Sequence, residues 1–370
     1  MTRPRFTPVI EALPPTVPFL APEAIVRQTG VPMRARLGAN ESGFGPSPKV
    51  VEAIANAASG VWTYGDPENF DLRTTLGQKL GLDIDTLAIG EGIDSLQGLI
   101  CRLFIAPGDR VVTSLGAYPT FNYHVAAQGG ELVTVPYRDD HEDLAALAEE
   151  AGKARTRIVY LANPDNPMGT WWDARSIEAF VDSIPPETLI VLDEAYGETA
   201  PQGTMPPITF RRANLLRLRT FSKAYGLAGL RVGYCIGHPE IVAGFDRIRN
   251  HFGVNKIGQI AALTALADED YLQSTLANIA RARNVIADFS RELGLSTIPS
   301  ATNFVAIDCG HDASFAQAVL DDLAGRGVFV RKPVAPGLAR TIRMSVGPDP
   351  ELEIARNALA ETLAALGQVR

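Results

Sequence analysis

Several short stretches of this chain carry side chains that could do chemistry together. In Phe221-Ser222-Lys223-Ala224-Tyr225-Gly226 a lysine directly follows an apolar run and stands beside a hydroxyl, with Arg231 a few residues on. A lysine among apolar residues and other cations gives up its proton readily and becomes a Schiff-base nucleophile. Thr220, Ser222 and Arg231 supply the hydroxyl and guanidinium donors that a phosphate requires. Asp193-Glu194-Ala195-Tyr196 puts a carboxylate at the end of another apolar run, where it is costly unless paired. Asn163-Pro-Asp165-Asn166-Pro167-Met168-Gly169 is a turn stiffened by two X-Pro steps and able to display an amide. Gly90-Glu-Gly92-Ile93-Asp94-Ser95 has the G-x-G-x-x-S outline of a dinucleotide fingerprint but lacks its third glycine. The plainer reading there is a glycine turn into a helix whose free N–H groups can hold a phosphate. Taken singly, each stretch is also an ordinary loop or helix entry.

The elements that must position these groups alternate from about residue 47. Helices are expected over 50–58, 70–80, 93–104, 118–128, 141–152 and 174–183. Strands are expected over 86–89, 110–113, 131–136, 157–162, 188–193, 215–220 and 231–236. The strands are short, apolar on both faces and rich in Val, Ile and Leu, as strands covered by helices on both sides are. The fold class is therefore α/β: a large domain, 41–270, with a mostly parallel seven-stranded sheet sandwiched by helices. Helices over 241–250, 257–267, 271–293, 313–325 and from 350, with strands over 303–307, 328–330 and 341–345, suggest a smaller α/β domain. That domain would join residues 1–40 to 271–370. Prolines punctuate the first fifty residues, so 1–40 reads as an extended or turn-like arm that packs on something else. In an open α/β sheet, ligands bind beyond the carboxyl ends of the strands, and all the stretches above fall there. As one set they match pyridoxal phosphate: an aldehyde for Lys223, a pyridine nitrogen for Asp193, a phenolic oxygen for Asn166 and Tyr196, and a phosphate for the rest.

Composition narrows the classes. The chain has 370 residues, with 34 Lys plus Arg against 42 Asp plus Glu, a formal charge of −8. An acidic chain lacks the basic footprint of a nucleic-acid binder. No run approaches the roughly 18 apolar residues of a membrane span. Arg3 and Arg5 are followed by Pro8, Pro14, Pro15 and Pro18 with no apolar segment, so no signal peptide is expected and the location is read as cytoplasmic. Cys101, Cys235 and Cys309 are too far apart and too few for a disulfide framework, and the five histidines have no ligand spacing, so no metal is expected. Trp171-Trp172 reads as packing or dimer surface, and Glu149-Glu150 and Asp268-Glu269-Asp270 as solvated helix ends.

The order G-x-D, N-P-x-G, D-E-A-Y and S-K-(x)7-R resembles fold type I pyridoxal-phosphate enzymes, class I/II aminotransferases in particular. It looks closest to the histidinol-phosphate aminotransferase group, through Leu37-Gly-Ala-Asn40-Glu41, Tyr64-Gly-Asp-Pro, Asn166-Pro-Met-Gly169, Asp193-Glu-Ala-Tyr196, the stretch from Thr220 to Tyr234, and Ile342-Arg343-Met-Ser-Val-Gly347. The resemblance implies that Lys223 condenses with the cofactor aldehyde and then moves the substrate proton. It implies that Asp193 pairs with the protonated pyridine, and that Tyr196 and Asn166 hold the phenolic oxygen. Tyr118 would stack on the ring, and the backbone of Ile93 and Asp94, with Thr220, Ser222 and Arg231, would bind the phosphate. Tyr64 would reach a partner's phosphate across a homodimer. Arg343 would hold a substrate carboxylate and Arg331 a substrate phosphate. The implied reaction is a ping-pong transfer of an amino group from histidinol phosphate to 2-oxoglutarate.

The chain departs from that pattern in three places. Val330-Arg331-Lys332-Pro333 lacks the tyrosine that often precedes the following Gly-Leu, N-P-M-G replaces N-P-T-G, and no tyrosine precedes Tyr64. An aromatic amino acid donor and a decarboxylase similar to threonine-phosphate decarboxylase therefore stand beside the first reading. A cofactor-binding regulator is the third, against which the proline-rich first 40 residues and the acidic charge both argue.

Overall fold

The computed structural model describes residues 4–14 and 21–367; Arg3, Pro15 and Pro18 lie outside them. In chain order the strands are β1 (Ala35–Arg36), β2 (Leu87–Gly90), β3 (Arg110–Ser114), β4 (Glu131–Val135), β5 (Thr156–Ala162), β6 (Leu189–Asp193), β7 (Leu215–Thr220), β8 (Gly233–Ile236), β9 (Ser296–Thr297), β10 (Phe304–Asp308), β11 (Val328–Phe329) and β12 (Thr341–Ser345). A seven-stranded sheet runs β2-β8-β7-β6-β5-β3-β4. It is parallel except for β8, which is antiparallel to both neighbours.

Both faces of that sheet are covered, which is why its strands read as continuous apolar runs. Ile158 and Tyr160 of β5 point into one core with the helices Gly92–Phe104 and Pro119–Ala127. Val159 and Leu161 alternate into the other, with Leu144–Ala151 and Ala174–Ser183. Helix entries are set by side-chain caps. Asp143 accepts from the N–H of Ala146, Asp173 from that of Ser176 and Asn255 from that of Gly258. The Asp143 cap starts its helix at Leu144 rather than at residue 141. Farther along, β12-β10-β9 form an antiparallel sheet, and β1 pairs in parallel with β11. The helices Glu269–Glu292, Ala313–Gly325 and Asp349–Ala365 cover an apolar core of their own there. The first of these helices runs straight across residue 270.

Two expectations are corrected. Residues 1–40 are not simply extended: Pro8–Glu11 and Pro22–Thr29 are helices, each with a proline in its first turn. The missing proline N–H is one that a helix start leaves unpaired anyway, and the ring presets φ for the first turn. Asp268 is not a solvated helix end but only 6% exposed; it pairs with Lys49 at 2.6 Å and accepts from the Ser47 hydroxyl. Trp172 packs partly buried, donating its ring N–H to the Glu142 carbonyl at 3.0 Å. The three cysteines are buried free thiols. Among the described residues no helix is long and apolar enough to cross a membrane, and no three His, Cys, Asp or Glu side chains cluster as metal ligands.

Candidate active site

The carboxyl ends of β2, β3, β5, β6 and β7 open onto one cavity of about 240 Å³, lined by Ile93, Asp94, Tyr118, Asn166, Asp193, Tyr196, Thr220, Ser222, Lys223 and Arg231. All of these were singled out in the sequence, and the fold brings them together. A second cavity of about 750 Å³ continues from it, sharing Asp94, Tyr118, Asn166, Tyr196 and Lys223 and adding Arg331 and Arg343. Tyr64 is elsewhere: it is 79% exposed, its ring 4.7 Å from that of Phe252.

Asp193 ends β6 almost fully buried. Its carboxylate accepts from the Tyr160 hydroxyl at 2.6 Å, the Gln97 amide at 3.3 Å and the Ala195 N–H at 2.9 Å. All three donors are neutral. Burial, only partly offset by those bonds, pushes its pKa up to about 6. A buried anion held by neutral groups alone is a site waiting for a cation.

Lys223 follows β7, and its ammonium donates to the Asn40 carbonyl at 3.3 Å and lies 5.6 Å from the Tyr196 ring centroid. Burial and then the Arg343 charge lower its pKa to about 8, with Asp94 and Asp193 opposing. The Tyr196 hydroxyl accepts from the Asn40 amide at 2.9 Å, and its ring stands edge-on to Phe304. Burial raises the pKa of Tyr196, and that of Tyr118 to about 12, so both are neutral phenols here.

An anion cradle lies at the β2 and β7 ends. The helix Gly92–Phe104 starts there with Ile93 and Asp94 in its first turn, where N–H groups lack intrahelical partners. The Thr220 hydroxyl donates to Ser222 at 2.9 Å, and Arg231 reaches Asp94 at 3.1 Å and the Ser222 hydroxyl at 3.4 Å. Gly92 has φ +78°, and a Cβ there would overlap the Arg231 guanidinium, so only glycine leaves the cradle open.

On the far wall Arg331 and Arg343 sit side by side: the Arg331 N–H donates to the Arg343 carbonyl at 3.1 Å and the Arg343 N–H returns at 2.6 Å. Arg343 also donates a side-chain N–H to the Asn166 amide oxygen, and its Nε is buried without a partner among the described residues. Burial lowers its pKa to about 10 and lowers that of Arg331 as well. Two part-buried guanidiniums facing a lysine make a pocket for anionic substrates.

Three residues of this network were not singled out as site residues. Tyr160 sits inside an apolar strand, where a buried hydroxyl needs a partner and so carries a signal. Gln97, on the buried face of its helix one turn from Ile93 and Asp94, carries the same kind of signal. Asn40 has φ 55°, a left-handed position that asparagine tolerates, but nothing local points it at Tyr196.

A seven-stranded, mostly parallel sheet with a lysine, a buried carboxylate and an anion cradle at its carboxyl edge defines a cofactor-dependent group-transfer enzyme. Residues 34–359 match the family described as aminotransferase class I and II. The histidinol-phosphate aminotransferase of Moorella thermoacetica is 36% identical over 370 residues, spanning 98% of this chain and 94% of that protein. Histidinol-phosphate aminotransferase 2 of Pseudomonas fluorescens is 36% identical over 363 residues, 96% of this chain and 97% of that one. The crystal structure of histidinol-phosphate aminotransferase from Sinorhizobium meliloti, in complex with pyridoxal-5′-phosphate, superposes with a TM-score of 0.96 at 52% identity, covering 99% of each chain. The chain belongs to the class I and II aminotransferases.

Proposed function

We propose that the chain is a pyridoxal-phosphate-dependent aminotransferase that takes histidinol phosphate as amino donor and 2-oxoglutarate as acceptor, alternately at one site. The observation that carries this reading is Lys223 lying between the buried Asp193 and the Arg331–Arg343 pair in two connected cavities. The likeness to the named histidinol-phosphate enzymes supports the choice of donor.

The residues fit the cofactor. Asp193, held by neutral donors, can take a protonated ring nitrogen. Tyr196 and Asn166 would hold a phenolic oxygen, and Tyr118 would cover a ring face; all three line the cavity. Thr220, Ser222, Arg231 and the N–H groups at Ile93 and Asp94 would hold the phosphate, and all five residues line the cavity. When bound, pyridoxal phosphate supplies an electrophilic aldehyde and an electron-withdrawing ring. Lys223, neutral above about pH 8, supplies the amine that receives or returns a proton at the substrate carbon. Asp193 keeps a positive charge on the ring side of the cavity. Arg343 and Arg331 orient donor and acceptor, both of which carry anionic groups beyond the reacting carbon.

The separate apolar core that joins Ala35 and Leu37 to the elements from Glu269 onward supports a boundary near residue 270, whereas the helix Pro8–Glu11 packs on Pro119–Ala127 of the larger unit. The exposed side chains Val61, Trp62 and Tyr64, with the Tyr64 ring against that of the exposed Phe252, support a homodimer in which Tyr64 serves the partner's site. The same reading puts the chain in the cytoplasm, and among the described residues no helix is long and apolar enough to cross a membrane.

The test is a half-reaction panel: cofactor-loaded protein is mixed with histidinol phosphate, phenylalanine, tyrosine or threonine phosphate, and the cofactor absorbance is followed. Faster conversion with histidinol phosphate than with phenylalanine is expected. Equal rates would replace the reading with a broad aromatic aminotransferase. Release of CO2 without keto-acid consumption would replace it with a decarboxylase.

A further inference from the structure

The helix Pro119–Ala127 begins at Tyr118, and Asn122 lies one turn further along the same helix face. Tyr118 lines both cavities, whereas Asn122 lines only the larger one, which Arg331 and Arg343 also line. Most of the polar wall there is already engaged. Asn40 Oδ1 accepts from Ser345 at 3.1 Å, Asn166 Oδ1 accepts from Arg343, and Asp94 pairs with Arg231. The cations Lys223, Arg331, Lys332 and Arg343 can only donate. Asn122 differs: among the described residues its Oδ1 has no hydrogen-bond partner and is buried off the open cavity that the residue lines, so the side chain must turn to present it there.

We propose that Asn122 is a specificity residue whose amide hydrogen-bonds a donor substrate's nitrogen heterocycle; this rests on the histidinol-phosphate reading. A buried acceptor left unmet is costly, and turning the amide toward a ligand in the cavity would satisfy it. The terminal torsion of asparagine is broad, so rotation presents either the oxygen or the NH2 group. An imidazole carries one N–H donor and one bare nitrogen acceptor and satisfies either orientation. A phenyl ring offers neither, and it leaves the amide unmet in a cavity from which it has displaced water. The arginines read the anion, and Asn122 reads the ring.

The experiment compares wild type with Asn122→Leu, which keeps the branching and removes both polar groups, and Asn122→Asp, which keeps an acceptor. Cofactor-loaded enzymes are assayed with histidinol phosphate, histidine and phenylalanine, and the ratio of kcat/KM for each imidazole donor over phenylalanine is read. The ratio cancels any general damage to the cofactor site. In Asn122→Leu it is expected to fall roughly tenfold to a hundredfold, the equivalent of one lost buried hydrogen bond. Asn122→Asp should recover part of that fall. A ratio within about threefold of wild type in Asn122→Leu, or equal losses on all donors, would overturn the proposal. Should Asn122→Leu fail to hold the cofactor, Asn122→Ala reads the same ratio. A wild-type enzyme inert toward histidinol phosphate would sink the functional reading, while the histidine-to-phenylalanine ratio would still decide the role of Asn122.

Discussion

Lys223 should become a free amine near pH 8, well below an ordinary lysine. The shift from 10.5 to about 8 arises first from burial, then from the Arg343 charge. At pH 7.5 a lysine with the ordinary value is neutral in about one molecule in a thousand; with the lowered value it is neutral in about one in four, a gain of roughly two hundredfold. The sign is fixed: below the midpoint the ammonium is protonated and unreactive, and reactivity grows as pH rises through it. Cofactor-free enzyme treated with a limiting amine-acylating reagent at a series of pH values, with Lys223 labelling read by peptide mass spectrometry, should give a midpoint near pH 8. Two substitutions test the cause. Arg343→Gln removes a repelling cation and should raise the midpoint, whereas Asp193→Asn removes an attracting anion and should lower it further. A wild-type midpoint at or above about pH 10, or a downward move in Arg343→Gln, would refute the electrostatic account.

Two further outcomes follow from packing. Gly92→Ala adds a Cβ at φ +78° against the Arg231 guanidinium, so it should cost about 1–2 kcal/mol in denaturant midpoint and weaken cofactor binding at least several-fold by fluorescence titration. Unchanged cofactor affinity would mean that Arg231 does not serve the phosphate. Glu194 is fully buried between Arg217 at 2.6 Å and Arg219 at 2.8 Å, so Glu194→Gln strands buried positive charge. A loss of roughly 3–5 kcal/mol is expected in chemical denaturation, and a loss under about 1 kcal/mol would show that the triad relaxes at little cost.

Where chemistry was readable from the chain, the reason is local. Asp193 ends an apolar strand and Lys223 and Asn166 stand in the turns just beyond two others, and in a parallel sheet such positions are at the ligand edge wherever the strand lies. The glycine at 92 likewise announces a tight entry into a helix. The prolines of residues 1–40 misled because proline marks a helix start as readily as an extended segment, and only the following residues decide which.

The sequence by itself determined the α/β class, the alternation of strand and helix, and the side chains at the strand ends, because hydrophobic period and strand-end position are short-range properties. Only the tertiary structure decided that Tyr160 and Gln97 converge on Asp193, that Asn40 reaches Tyr196 from far upstream, and that Arg331 and Arg343 face one cavity as neighbours. It also decided that Asp268 is buried against Ser47 and Lys49, and that among the described residues the Asn122 Oδ1 is left without a partner. Those contacts depend on how separate elements pack and pair across long stretches of chain. No local pattern encodes that register: an arginine on a short strand reads the same whether it meets solvent, a carboxylate or another arginine.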